Sequence, residues 1–169
     1  AVILDPHYGL ESDYFAVIEH LDLKLSFVVE SHMHESHRSA APALCSETDA
    51  RWVAPPGSDA TRNAILVHDG ESLFLGEECF TALLTPGHSP CSTCYCWSDR
   101  VFTGHTLLCA KAGMCDRHDS DPGLLYENII GRLYSLPEDT LVFPGFDAGG
   151  LESTIRRERR FNTELTIDT

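Results

Sequence analysis

Basic residues are scarce in this chain. Only 12 lysines and arginines stand against 26 aspartates and glutamates, which leaves a formal net charge of −14 and a pI near 4.8. Such an excess argues against a nucleic-acid or anionic-membrane surface, because both would repel it at long range, and a small molecule is the expected partner. Long apolar runs are missing too: no stretch approaches the roughly 20 residues of a membrane span, and no basic-plus-apolar leader precedes Ala1. The expectation is a chain neither secreted nor inserted, sited in the cytoplasm or another reducing compartment, mitochondrial if a leader has been removed upstream. A disulfide framework is also lacking. The seven cysteines are odd in number and scattered through apolar segments, which fits reduced thiols.

What is present suffices for a core. With 169 residues, 43% of them hydrophobic, residues 1–169 are expected to form a single domain. Ala1–Leu4 and Leu25–Glu30 read as strands around a helix over Glu11–Leu21, whose Tyr14, Phe15, Ile18 and Leu21 share a face and whose Ser12 or Asp13 is placed to cap it. A short helix is expected over His37–Leu44. Ala64–Val67, Ser72–Leu75 and Cys79–Thr85 read as antiparallel strands turning at Asp69-Gly70 and Gly76, extended by Thr93–Trp97 and Arg100–Phe102. Asp121-Pro122-Gly123 opens a helix reaching about Ser135, a strand follows at Leu141, and Glu152–Phe161 reads as a charged final helix. Strands interleave with helices around antiparallel hairpins, so an α/β architecture with outer helices is predicted.

Three apolar strands run into a turn that stops on a histidine: Phe27-Val28-Val29-Glu30-Ser31-His32, Ala82-Leu83-Leu84-Thr85-Pro86-Gly87-His88 and Val101-Phe102-Thr103-Gly104-His105. Strands ending at one rim of a sheet bring distant side chains to a common point, and imidazoles there suit Zn(II) or Fe(II). A mononuclear metal centre is the reading. The run His32-Met33-His34-Glu35-Ser36-His37 adds two further imidazoles. His7, His20, His68 and His118 lack a strand-end context and are read as surface or capping residues. Cys91, Cys94 and Cys96 spell C-x-x-C-x-C but have no second cysteine pair to complete a thiolate site, so they are read as small core residues.

The order H-x-H-x-x-H, T-P-G-H and F-T-G followed by a ligand position resembles the metallo-β-lactamase fold, and within it the persulfide dioxygenase and glyoxalase II-like branch. Ala1–Pro6, Gly113-Met114-Cys115-Asp116, Leu136–Thr140, Pro144–Asp147 and Ser153–Asn162 resemble further segments of that branch in the same order. The resemblance implies an αβ/βα sandwich of mixed sheets with outer helices, its opening hairpin absent before Ala1. It implies one divalent ion, Fe(II) in preference to Zn(II), on His32, His88 and His105. The last departs from the branch's aspartate and makes a three-histidine set. His34 would replace His105 in a zinc-type site, and His37 is a weaker candidate for a second ion. That second site is depleted, with Ser36 where the branch has aspartate and Phe146 where it has histidine. Met114 replaces an arginine that would face an anionic substrate, and Ala148 a tyrosine. Lys111, Cys115, Asp116 and Arg117 are the substrate-side candidates. The implied activity is oxygen transfer to a small thiol persulfide, glutathione persulfide being the branch's usual substrate. A zinc-dependent thioester hydrolase and a non-catalytic relative with eroded ligands are the alternatives, and a homodimer is compatible with each.

Overall fold

A computed structural model describes residues 1–33, 38–57 and 64–165. The chain gathers into two compact units, Ala1–Val67 and His68–Thr169.

In the first unit, β1 (Val2–Leu4), β2 (Phe27–Val29), β3 (Arg51–Ala54) and β4 (Ile65–Leu66) lie side by side in chain order, every neighbour parallel. Parallel neighbours need a crossover, and α1 (Glu11–His20) supplies the first. Tyr14, Phe15 and Ile18 of its predicted face pack against buried Leu25, Val28, Ala40, Ala41 and Leu44, whereas Leu21 falls past the helix end and is exposed. The predicted caps are not used. The N-cap is Leu10, which has no side-chain acceptor, and Ser12 and Asp13 lie inside the helix; the Glu11 carboxylate instead accepts the Gly9 N–H at 2.8 Å. The second helix, α2, spans Ala41–Glu47 rather than beginning near His37, because Pro42 suits its first turn.

Two assignments change. Arg51–Ala54 carried no strand expectation, since a four-residue run between polar residues has too little periodicity to read. The Ala64–Val67 segment was expected in the antiparallel sheet but pairs in parallel with β3, Val53 opposite Ile65 and Ala54 opposite Leu66. Asp69-Gly70 does turn the chain, the Glu71 N–H donating to the His68 carbonyl at 3.0 Å, but it closes no hairpin, because the segment before it pairs with β3.

In the second unit, six strands run in the order β12-β11-β8-β7-β6-β5. β5 (Ser72–Leu75), β6 (Glu78–Leu84), β7 (Thr93–Trp97) and β8 (Arg100–Gly104) form the expected antiparallel meander. Positive φ at Gly76 and Ser98 turns two of its corners. β9 (Leu107–Leu108) and β10 (Lys111–Ala112) make a small separate hairpin, β11 (Leu141–Pro144) joins β8 in parallel, and β12 (Ser153–Thr154) closes the edge. α3 (Pro122–Asn128) starts as predicted, its Asp121 carboxylate accepting the Leu124 N–H at 3.0 Å, and continues through a π turn over Ile129–Leu133. α4 (Ile155–Phe161) begins three residues later than expected, because Ser153 and Thr154 are taken into the sheet and Thr154 caps the helix. Leu125, Ile129, Leu133, Val142 and Ile155 form the core with Cys94. Burial pushes the Cys94 thiol up to about 12, so it stays a neutral packing group.

Candidate metal centre

His32 leaves the carboxyl end of β2 on a backbone held from below. The Asp5 carboxylate accepts the Ser31 N–H at 2.6 Å, the Asp5 N–H donates to the Val29 carbonyl at 2.8 Å, and Asp5 itself adopts φ 47°. Beside it the buried Glu30 carboxyl accepts the Ser39 hydroxyl. Burial first, then the neighbouring Asp5 charge, pushes Glu30 up to about 8, and burial likewise raises Asp5. His32 is buried, with Nδ1 2.9 Å from the Ser31 hydroxyl oxygen.

His88 stands on the turn after β6. Gly87, at φ 141°, lets α3 approach so closely that a Cβ there would sit 2.4 Å from the Leu125 Cα. The Asp121 N–H donates to the Gly87 carbonyl at 2.7 Å, and the Ser120 hydroxyl to the His88 carbonyl at 3.0 Å. The decisive contact is that of His88 Nδ1 with the Met114 carbonyl, at 2.6 Å. A carbonyl only accepts, so Nδ1 carries the proton and Nε2 presents its lone pair, the arrangement that orients metal-binding histidines.

His105 follows β8 through Gly104, at φ 50°, whose carbonyl accepts the Gly145 N–H at 2.7 Å. Gly113 crosses immediately above: a Cβ on it would lie 1.9 Å from the His105 carbonyl oxygen. The His105 ring meets that of His88 edge to face at 5.1 Å between centroids and that of Phe146 at 5.5 Å.

Ligand atoms of His32, His88 and His105 all lie within 4.8 Å of one another, the single such group among the described residues. Small side-chain rotations bring three nitrogens so placed onto one ion with bonds of about 2.0–2.2 Å. The donor set therefore fits a divalent transition metal, and the His88 tautomer fits it as well. His34 and His37 lie outside the described residues. The remaining candidates are not members of the group. Lys111 and Asp116 are exposed, and Arg117 grips Asp119 through Nε at 3.0 Å and Nη2 at 3.4 Å. The Cys115 thiol, 3.7 Å from the Gly87 carbonyl, packs against the core and is raised by burial and by the charges of Asp121 and Asp116. Sequence reading missed three supporting residues. Asp5 looked like a turn residue, Gly113 carried no distinguishing signal beyond its motif, and a backbone acceptor such as the Met114 carbonyl has no side-chain signature.

No family model matches the chain. Human mitochondrial persulfide dioxygenase ETHE1 is 27% identical over 170 residues, covering 99% of this chain and 67% of that protein. The crystal structure of ETHE1 from Myxococcus xanthus matches with a TM-score of 0.92 and 33% identity, over 97% of this chain and 73% of its own. The chain belongs to the ETHE1 branch of the metallo-β-lactamase superfamily. BLEG-1, a B3 metallo-β-lactamase, has a TM-score of 0.86 and 26% identity over 99% of this chain and 89% of its own, so the α/β fold is that of the superfamily. The ETHE1 and β-lactamase relatives are enzymes by name. Among the described residues no helix is long and apolar enough to cross a membrane.

Proposed function

We propose that this ETHE1-branch chain is a mononuclear Fe(II) oxidoreductase that transfers oxygen to the terminal sulfur of a small thiol persulfide. The observation that carries the reading is the gathering of three imidazoles, with the His88 lone pair directed by the Met114 carbonyl. Bound at these nitrogens, Fe(II) would supply dioxygen chemistry on sulfur. The residues set its terms. Three neutral donors leave the ion's charge uncompensated, which favours an anionic sulfur partner more than a carboxylate-containing set would. Phe146 presents a ring, not a ligand, beside His105, and Ser36 stands at the other depleted position, so one ion is expected. Burial of His32 and His88, 2% and 3% exposed, excludes bulk water from two of the three ligands and strengthens that electrostatic pull.

Metal analysis of protein purified without oxygen tests the proposal, paired with dioxygen consumption on adding a persulfide. Iron near one per chain with persulfide-dependent uptake is expected. Zinc with thioester hydrolysis would replace the proposal with a hydrolase, and neither metal nor turnover would overturn catalysis altogether.

A further inference from the structure

The strands that lead to His88 and His105, β6 and β8, are not neighbours in their sheet: β7 lies between them. Among the described residues no backbone ladder joins the two directly, so sheet pairing by itself does not fix the spacing of their histidines. A backbone link bridges the gap. The Gly113 N–H donates to the Thr106 carbonyl at 3.1 Å, and the carbonyl of the next residue, Met114, holds His88 Nδ1 at 2.6 Å. A side-chain link runs beside it. The hydroxyls of Thr85, three residues before His88, and Thr106, directly after His105, hydrogen-bond at 3.0 Å.

Both threonines are enclosed, 0% and 1% exposed, so bulk water does not compete for their hydroxyls. Each is anchored at its own end. The Thr85 N–H donates to the Ser92 carbonyl at 2.8 Å and the Thr106 N–H to the Thr103 carbonyl at 2.9 Å, while the Thr103 hydroxyl closes the His105 turn on the Leu107 carbonyl at 2.6 Å. From β7, the Cys94 thiol lies 3.2 Å from the Thr85 hydroxyl and donates to the Thr103 carbonyl at 3.7 Å. Valine would fill the space of either threonine. What the hydroxyls add to packing is a fixed distance between two turns that each end on a histidine.

We infer that Thr85 and Thr106 are positioning residues, whose buried hydroxyl pair sets the separation of His88 and His105 and thereby their fit to one ion. The inference rests on the metal-centre reading above and extends it to residues outside the histidine group. Ligands already held at the right spacing bind without first being ordered, so loss of the tie weakens binding while every donor remains.

Co(II) binding to the apoprotein tests this without turnover, with chelator competition and the visible absorption band as readouts and urea unfolding of the metal-free protein alongside. Valine keeps the shape of threonine and loses the hydroxyl; serine keeps the hydroxyl and loses a methyl. Thr85→Val and Thr106→Val should each weaken Co(II) by about tenfold or more and shift the band, whereas Thr85→Ser and Thr106→Ser should stay within about threefold of the parent and keep its band. Stability should follow the opposite order. The double valine variant strands neither hydroxyl and should unfold near the parent's urea midpoint, yet bind Co(II) as weakly as the single valine variants; the serine variants should unfold at lower urea for want of a buried methyl. Should a single valine variant fail to fold, the double variant makes the same comparison. Valine variants that bind Co(II) like the parent, or affinities that follow the unfolding midpoints through the series, would overturn the inference and leave the metal centre standing. A parent that takes up no Co(II) would remove the metal centre and the inference with it.

Discussion

His88 carries its proton on Nδ1 because its partner there, at 2.6 Å, is a carbonyl, and one backbone oxygen thereby decides which nitrogen is offered to an ion. His105 is the residue on which the iron reading most depends, since it stands where the branch has an anionic ligand. Replacing it with alanine removes one of three donors, and metal affinity should fall about 100-fold or more, measured by competition with a chelator. His105→Asp should keep the metal while raising the apparent KM for a persulfide, because the added charge weakens the ion's pull on an anion. Unchanged affinity in His105→Ala would reduce His105 to a pocket residue. Gly113→Ala is the complementary case, without any change of ligand. Its Cβ would lie 1.9 Å from a backbone oxygen, so the chain must shift, and a loss of about 2–4 kcal/mol in urea unfolding is expected together with weaker metal binding.

Among the elements, β6 and the turn after it depend on a tie that lies outside both. Asp69 accepts the Leu84 N–H at 2.9 Å and holds Arg132 of the π turn at 2.7 and 2.8 Å, joining the end of β6 to the segment after α3. Partial burial alone would raise the Asp69 carboxyl, but the Leu84 N–H and the Arg132 guanidinium outweigh it and hold it below the usual aspartate value. A carboxyl lowered in the folded state contributes stability above its unfolded value near 3.8 and loses it as pH falls through the folded value. Both side chains are a third to a half exposed, so Asp69→Asn should cost only about 0.5–1 kcal/mol at neutral pH. The gap between variant and parent should close as pH falls below 3.8 and through the lowered folded value, and narrow in high salt; a gap constant with pH in urea titrations would show that the carboxylate charge is not its source. The turn that carries this carboxylate adjoins an assignment that failed. Asp69-Gly70 has turn chemistry and turns the chain, yet Ile65 and Leu66 before it pair with β3 rather than with β5, a choice of partner that a reading of neighbouring residues cannot anticipate.

Across the whole molecule, an ion held by the three histidines, each of which follows a different strand, would couple metal binding to stability. Titration of apoprotein should saturate near one equivalent, and free metal at 100 times its Kd should add about 2.7 kcal/mol to unfolding, seen as a raised Tm that a chelator reverses. Two equivalents of similar affinity would reveal a replacement ligand for the second site. The net charge of −14 acts at this scale too, through long-range repulsion of other polyanions.

The sequence by itself determined the chemistry on offer. Histidines placed just after buried β-prone runs, a capped helix at Asp121 and turn residues at Gly76 and Ser98 are local signals, because capping, turn geometry and strand periodicity act over a few residues. Those signals sufficed for the meander and the first βαβ unit, and they singled out His32, His88 and His105, whose ligand atoms the fold brings within 4.8 Å of one another. Only the tertiary structure decided that Ile65 and Leu66 pair in parallel with β3, that Asp5 clamps Ser31, that Gly113 must be glycine and that a backbone carbonyl selects the His88 tautomer. Each of these is a contact between segments distant in sequence, made by backbone groups or by a missing side chain. Such partners leave no pattern along the chain, since every residue carries a backbone carbonyl and its use is settled by what packs against it.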